Sequence, residues 1–239
     1  MANEHGEWIM YGVEENDPYC IKSVDALITY INEVGFLPLF KNEIPGFSVE
    51  ERTVATYWWS GNKERDPWEW REIIAGSGKV AYGKFFDKKA GFISQEWFPC
   101  FANYRRNGYN FDARWDDELA SIRSKKIMDC FTPDTELYSF ELKKRAGFGK
   151  GGEKNFDGIV TALQMQSYLC MRDFRQRRNK AGEPYGWSVA VYSMPEHLWG
   201  YECIAEAYQE APEESRERIY RHISEVYPIA SRKQIEKLI

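Results

Sequence analysis

Between residues 155 and 192 the hydrophobic period of the chain switches once, from helical to extended, and this restricts the fold more than any other feature. Phe156, Ile159, Val160 and Leu163 recur at i, i+3, i+4 and i+7, one face of a helix, with Asn155 where a cap belongs. Residues 168–177 and 185–192 then read as two strands. The second, from Trp187 to Tyr192, is β-branched and aromatic. Their connection, 178–184, holds charge, glycine and proline, the composition of a projecting turn. Two more helices are expected ahead. The first starts near Trp115, with Asp116, Asp117 and Glu118 at its positive end and Lys125 and Lys126 towards its negative end. It would bury Trp115, Leu119, Ile122 and Cys130. The second, 135–146, would bury Leu137 and Phe140 and stop at Gly147. Three helices and a hairpin follow the order of a winged helix-turn-helix, spanning about Trp115 to Pro195.

The flanks are mostly helical. Val24, Leu27, Ile28, Ile31 and Val34 share one helix face, with Ser23 to open it and Gly35 to close it. The capping-box letters Ser48-Val-Glu-Glu51 predict a helix running through Trp58 and Trp59 to Gly61. Asp66-Pro67-Trp68-Glu69 opens another, and 79–86 with 91–94 read as a hairpin. Trp58, Trp59, Trp68, Trp70 and Trp97 are expected to pack in the core rather than to stack on a ligand. Beyond the wing, 195–209 and 212–226 read as helices with proline in the first turn, and Ser231 to Gln234 caps a short last one.

Charge is unevenly spread. The chain carries −5, yet residues 141–180 hold ten basic and four acidic side chains. Phosphate binding depends on potential within a Debye length, roughly 8–10 Å at ordinary salt, so a local excess counts for more than the total. Five scattered cysteines without a CxxC pair fit reduced thiols better than a disulfide framework. Only three histidines are present, none at ligand spacing, so neither a metal site nor a cofactor is expected. The opening residues lack the basic and apolar regions of a signal peptide and no apolar run is long enough to span a bilayer, so a soluble, cytoplasmic protein is expected.

Longer strings carry a family resemblance. Thr161-Ala-Leu-Gln-Met-Gln-Ser-Tyr-Leu169, Tyr185-Gly-Trp187 and Pro195-Glu-His-Leu-Trp-Gly200 resemble the AlkZ-related proteins. So do Asp66-Pro-Trp-Glu-Trp-Arg71, Tyr82-Gly-Lys84 and Asn103-Tyr-Arg-Arg106 upstream. The resemblance implies kinship with the AlkZ/YcaQ glycosylases, winged-helix proteins that excise alkylated or crosslinked bases with a Gln-x-Gln or Gln-x-Asp motif. Gln164 and Gln166 match that motif as letters, which makes them the candidate catalytic pair. On a helix, residues two apart point about 200° apart, so the pair shares a face only if the backbone there is extended. If base excision occurs, Asp66 or Glu69 could supply a carboxylate only if the Trp-rich half folds over the wing.

The expectation is an α+β chain, mainly helical. An N-terminal region (1–110) with Trp-rich helices and a short hairpin would precede the winged helix (111–195) and a helical extension (196–239). The leading function is binding of duplex DNA, linked to repair. Its contacts would come from Lys154 and Thr161 at the third helix and from Arg175, Arg177, Arg178 and Lys180 on the wing. Two alternatives stay open: an active glycosylase for alkylated bases, and a non-enzymatic module that binds protein. Glu202, Glu206, Glu210, Glu213, Glu214 and Glu217 make the extension unfit for phosphate, so it is expected to pack on the domain or meet a protein partner.

Overall fold

A computed structural model describes residues 10–239. The opening nine residues, on which the leader expectation and His5 fall, lie outside that range.

The N-terminal part forms α1 (Val24–Val34), β1 (Phe36–Pro38), α2 (Pro67–Ser77), β2 (Val80–Phe86), β3 (Lys89–Ser94) and α3 (Phe98–Arg106). The Ser23 hydroxyl accepts the Ala26 N–H to start α1, and Gly35, at φ 82°, ends it. The Asp66 carboxylate starts α2 by accepting from Trp68 N–H (2.8 Å), and it also accepts from Trp59 and Gly61 N–H (3.1 and 2.9 Å). It is fully buried, so helix capping and loop stapling account for it. The helix expected over 48–61 does not form. Two single 3₁₀ turns, Glu50–Arg52 and Ala55–Tyr57, replace it. Longer-range bonds win there: the buried Glu50 carboxylate accepts from Tyr11 and Lys41 N–H (3.0 and 2.9 Å), which pins the chain extended on either side. Trp58 and Trp70 are buried, whereas Trp59 is half exposed.

The rest of the chain adds α4 (Phe111–Asp116), α5 (Ile122–Met128), β4 (Glu136–Tyr138), α6 (Ser139–Arg145), α7 (Phe156–Met165), β5 (Cys170–Arg178) and β6 (Pro184–Ser193). It ends in α8 (Pro195–Trp199), α9 (Tyr201–Ala205), α10 (Pro212–Val226) and α11 (Arg232–Leu238). The single helix expected from Trp115 is in fact two. Asn110 caps α4 through Ala113 N–H, Glu118 turns left-handed (φ 59°), and Ser121 caps α5 through Ser124 N–H. Leu119 and Ile122, expected inside, are 51 and 54 % exposed. The helix expected over 135–146 loses its first turn to β4, because Glu136, Leu137 and Tyr138 pair with Ser193, Tyr192 and Val191. Leu137 stays buried and Phe140 does not. Gly200 (φ 86°, ψ 152°) divides the helix expected over 195–209.

The six strands make one antiparallel sheet in the order β1-β3-β2-β5-β6-β4, a mixed α/β architecture. β2 and β5 meet at Tyr82 and Met171, so the sheet crosses residue 110. The Arg172 guanidinium reinforces the crossing by donating to the Ala75 and Gly76 carbonyls (3.0 and 2.7 Å) in the last turn of α2. One cluster of buried side chains, from Ile21 to Leu238, runs through all three segments. α10 buries Ile219 and Ile223, and the buried Asn103 of α3 reaches Ser215 at its first turns (2.9 Å).

Candidate nucleic-acid interface

β5 touches β2 only near Met171, and β6 touches β4 only from Val191 onward. Beyond those points the hairpin is a two-stranded ribbon, and every residue from Gln176 to Ser188 is exposed. That stretch holds Arg177, Arg178 and Lys180 against one carboxylate, Glu183. The Arg177 guanidinium lies 4.7 Å from the Phe140 ring centroid, and Arg178 donates to the Gly182 carbonyl (2.7 Å), bonds that steady both side chains and neutralise neither. Lys180 is exposed at the tip.

Arg175 departs from the expectation of a phosphate contact. It is forked onto Glu136 (2.5 and 3.1 Å) and also bonds Asp173 (2.5 Å). The hydrogen bonds it donates to Glu136 and then to Asp173 raise its affinity for its proton. Two carboxylates around one guanidinium leave no net positive charge to offer.

The register of the hairpin shifts twice, first between Met171 and Asp173 and again, further out, between Arg175 and Arg177. Arg175 pairs with Val189 and Arg177 with Tyr185, so Gly186, Trp187 and Ser188 lie across from Gln176 alone. Gly186 is at φ 72° and its carbonyl accepts from Gln176 Nε2 (2.8 Å). Trp187 is turned outward and is 92 % exposed.

α7 behaves as its stripe requires: Phe156, Val160 and Leu163 are buried. Asn155 does not cap it by a side-chain bond; its own backbone is left-handed (φ 66°). Asp157, Gly158 and Ala162 are exposed along the outer side, with Thr161 half-buried among them and Lys154 exposed just ahead.

The two glutamines part company. Gln164 is fully buried. Its Oε1 accepts the Lys84 N–H (3.0 Å) and its Nε2 donates to the Val160 carbonyl (3.2 Å). Gln166, at the C-terminal end of α7, lines a cavity of about 520 Å³ with Tyr104, Arg105, Met165 and Lys237. Arg105 donates from there to the Phe85 carbonyl (2.9 Å), and Lys237 is paired with Glu43. One amide is thus spent on backbone partners inside the core, and the other stands in the wall of a cavity.

A family model described as AlkZ related matches residues 21–239. The chain belongs to the AlkZ-related family. No curated protein and no solved structure matches it. The family match takes in the Trp-rich half as well as the hairpin, so AlkZ-related sequences share the region that forms the whole sheet.

Three features of this AlkZ-related chain escaped sequence reasoning. Arg106, the second arginine of Asn103-Tyr-Arg-Arg106, is buried, its Nη1 donating to Glu196 (2.5 Å) and Tyr208 (2.8 Å) and its Nη2 to the Ser167 carbonyl (2.5 Å). Burial opposes its charge, but Glu196 and Tyr208 outweigh that and hold the guanidinium above its ordinary range. Arg172 serves as a helix cap. Trp187 points away from the core, although Gly186 inside a strand is the letter that marks a bulge. Among the described residues no His, Cys, Asp and Glu side chains are grouped to hold a metal, and no helix is long and apolar enough to cross a membrane.

Proposed function

We propose that this chain binds duplex DNA through the free end of the β5–β6 hairpin, with the outer side of α7 facing the same ligand. The observation that carries the reading is the projecting ribbon with Arg177, Arg178 and Lys180 exposed on it. Phosphates are contacted by cations that reach them, and these three are exposed at the free end of the ribbon. The element order supports a winged-helix description: α5, β4, α6 and α7 precede the hairpin, and β4 adds to its returning strand. The small residues Gly158 and Ala162 on α7 would let a groove approach closely. Lys154 and Thr161 complete the interface, and Arg175 positions β4 instead of touching phosphate. The reading carries with it a cytoplasmic location and, through the family, a link to DNA repair.

Titration of a labelled duplex across a salt series tests it. Each phosphate contact adds about 0.9 to the slope of log affinity against log salt. Replacing Arg177, Arg178 and Lys180 together by glutamine is expected to flatten the slope by about 2 to 3 and to weaken binding uniformly across sequences. An unchanged slope overturns the reading.

Base excision is a second reading, favoured by the cavity at the end of α7 with Gln166 in its wall. It assigns the chemistry to Gln166 and leaves Gln164 a structural role. Release of a methylated purine from damaged duplex, abolished by Gln166→Ala with folding intact, supports it; no release from alkylated duplex counts against it.

A further inference from the structure

We propose that Trp187 is a stacking wedge that selects nucleic acid containing an unpaired or unstacked base. This rests on the DNA-binding reading for its ligand and goes beyond it in naming the feature that is recognised. Three observations meet at this residue. It is the most exposed large apolar side chain in the described structure, at 92 %. A lone tryptophan in water is unusual for a side chain whose burial normally anchors cores and interfaces. It is presented by a backbone device: three residues of β6 span the place of one on β5, and Gly186 takes a left-handed conformation that permits the detour. Bulges re-aim side chains, and this one aims an indole off the ribbon. The third observation is what surrounds it. Tyr185, half exposed, precedes it by two residues, and Arg177 is registered directly opposite Tyr185, with Arg178 and Lys180 further towards the tip.

Exposed aromatic rings interleaved with cations match one class of ligand, a polyanion carrying flat apolar faces. The cations take the backbone and the indole takes the base. In a fully paired helix the base faces are covered by their neighbours, so an indole gains contact only by prising a step apart. Where a base is already unpaired, that cost is absent and the stacking gain is realised in full. The ribbon is two strands wide, and the adjoining cations hold it to the phosphates on either side of the step.

The experiment compares two labelled duplexes of equal length, one fully paired and one with a single unpaired base, for the wild type, Trp187→Ala, Trp187→Phe and the double variant Arg177→Gln/Arg178→Gln. The wild type is expected to prefer the unpaired duplex by about tenfold, within the range found for one base–aromatic stack. Trp187→Ala should lose that preference and bind both duplexes as the wild type binds the paired one. Trp187→Phe should keep most of it. The double arginine variant should weaken both duplexes alike and leave the ratio standing. Because the indole packs against nothing, far-UV dichroism and the melting temperature of Trp187→Ala should equal those of the wild type. Salt-sensitive binding with the same ratio in wild type and Trp187→Ala overturns the wedge and leaves the DNA reading intact. If neither duplex binds, both readings are overturned. Binding to anionic phospholipid vesicles that disappears in Trp187→Ala, with the duplex ratio unchanged, assigns the indole to a lipid surface and overturns the proposal.

Discussion

At the scale of single residues, the contrast between Gln164 and Gln166 shows where letters stop being informative. Both lie in one motif, and helical geometry already separates their directions. What the sequence could not reveal is that β2 passes over α7 at Lys84, where its N–H takes Gln164 Oε1 as acceptor. Gly83 lies close enough that a Cβ there would come within 3.1 Å of that oxygen. The amide is thus a spacer of fixed length between helix and strand. Gln164→Leu keeps the volume but leaves the Lys84 N–H without its acceptor, while the Val160 carbonyl, inside α7, loses only the extra side-chain bond. A buried orphan donor costs about 1–3 kcal/mol, so this variant should lose roughly 2 kcal/mol of unfolding free energy. Gln166→Ala, half-exposed at a helix end, should stay within about 0.5 kcal/mol of the wild type. Urea midpoints at constant m-value check both. Equal losses would mean that burial at Gln164 carries no special weight.

Elements were legible where local signals agreed and lost where distant partners outbid them. α1, α2, α10 and the core of the β5–β6 hairpin follow from spacing and capping letters alone. Residues 48–61 also carry a capping box, and its Ser48 hydroxyl does accept the Glu51 N–H (3.2 Å), yet no α-helix propagates from it. Nucleation is costly and one cap does not sustain it against the tertiary bonds made by Glu50. β4 was missed for the same reason: three residues become a strand only because β6 offers an edge. The β2–β3 turn is a different lesson. Asp87 and Lys88 are both left-handed (φ 47° and 62°), as a two-residue turn between twisted strands demands. Neither is glycine, which is why the sequence reads as a longer loop. Strain for a non-glycine residue there is of order 1 kcal/mol or more, and the added freedom of glycine in the unfolded chain returns about 0.5–1 kcal/mol of it. Lys88→Gly is therefore expected to raise stability slightly, by about 0.5 kcal/mol, seen as a higher melting temperature. A fall would show that the lysine makes a compensating contact.

The whole molecule is a single sheet with helices tied to it from both ends of the chain, and the pH dependence of that arrangement runs through one residue. His222 on α10 stacks on Trp97 with ring centroids 4.1 Å apart, beside Gly35 at the end of α1. Burial, acting against the charged imidazolium, pulls its pKa below the ordinary 6.5, and the Val34 backbone only partly restores it. In the unfolded chain the group regains its ordinary value, so between that value and the lower folded one the unfolded state holds more protons. Stability must then be full above about pH 6.5 and decline as the solution is acidified through the folded pKa. The contribution of this one group over pH 7.5 to 5.5 is therefore read as the difference between the wild type and a variant that lacks the imidazole. His222→Phe keeps an aromatic ring against Trp97 and removes the proton. The wild type should melt at a lower temperature at pH 5.5 than at 7.5, and the variant should show a smaller drop. Because α10 packs on α3, which follows the β2–β3 hairpin directly, loosening His222 should be felt across the sheet, and the acid-induced fall should appear as one cooperative transition. An equal fall in both proteins would place the acid-sensitive contact elsewhere in the molecule.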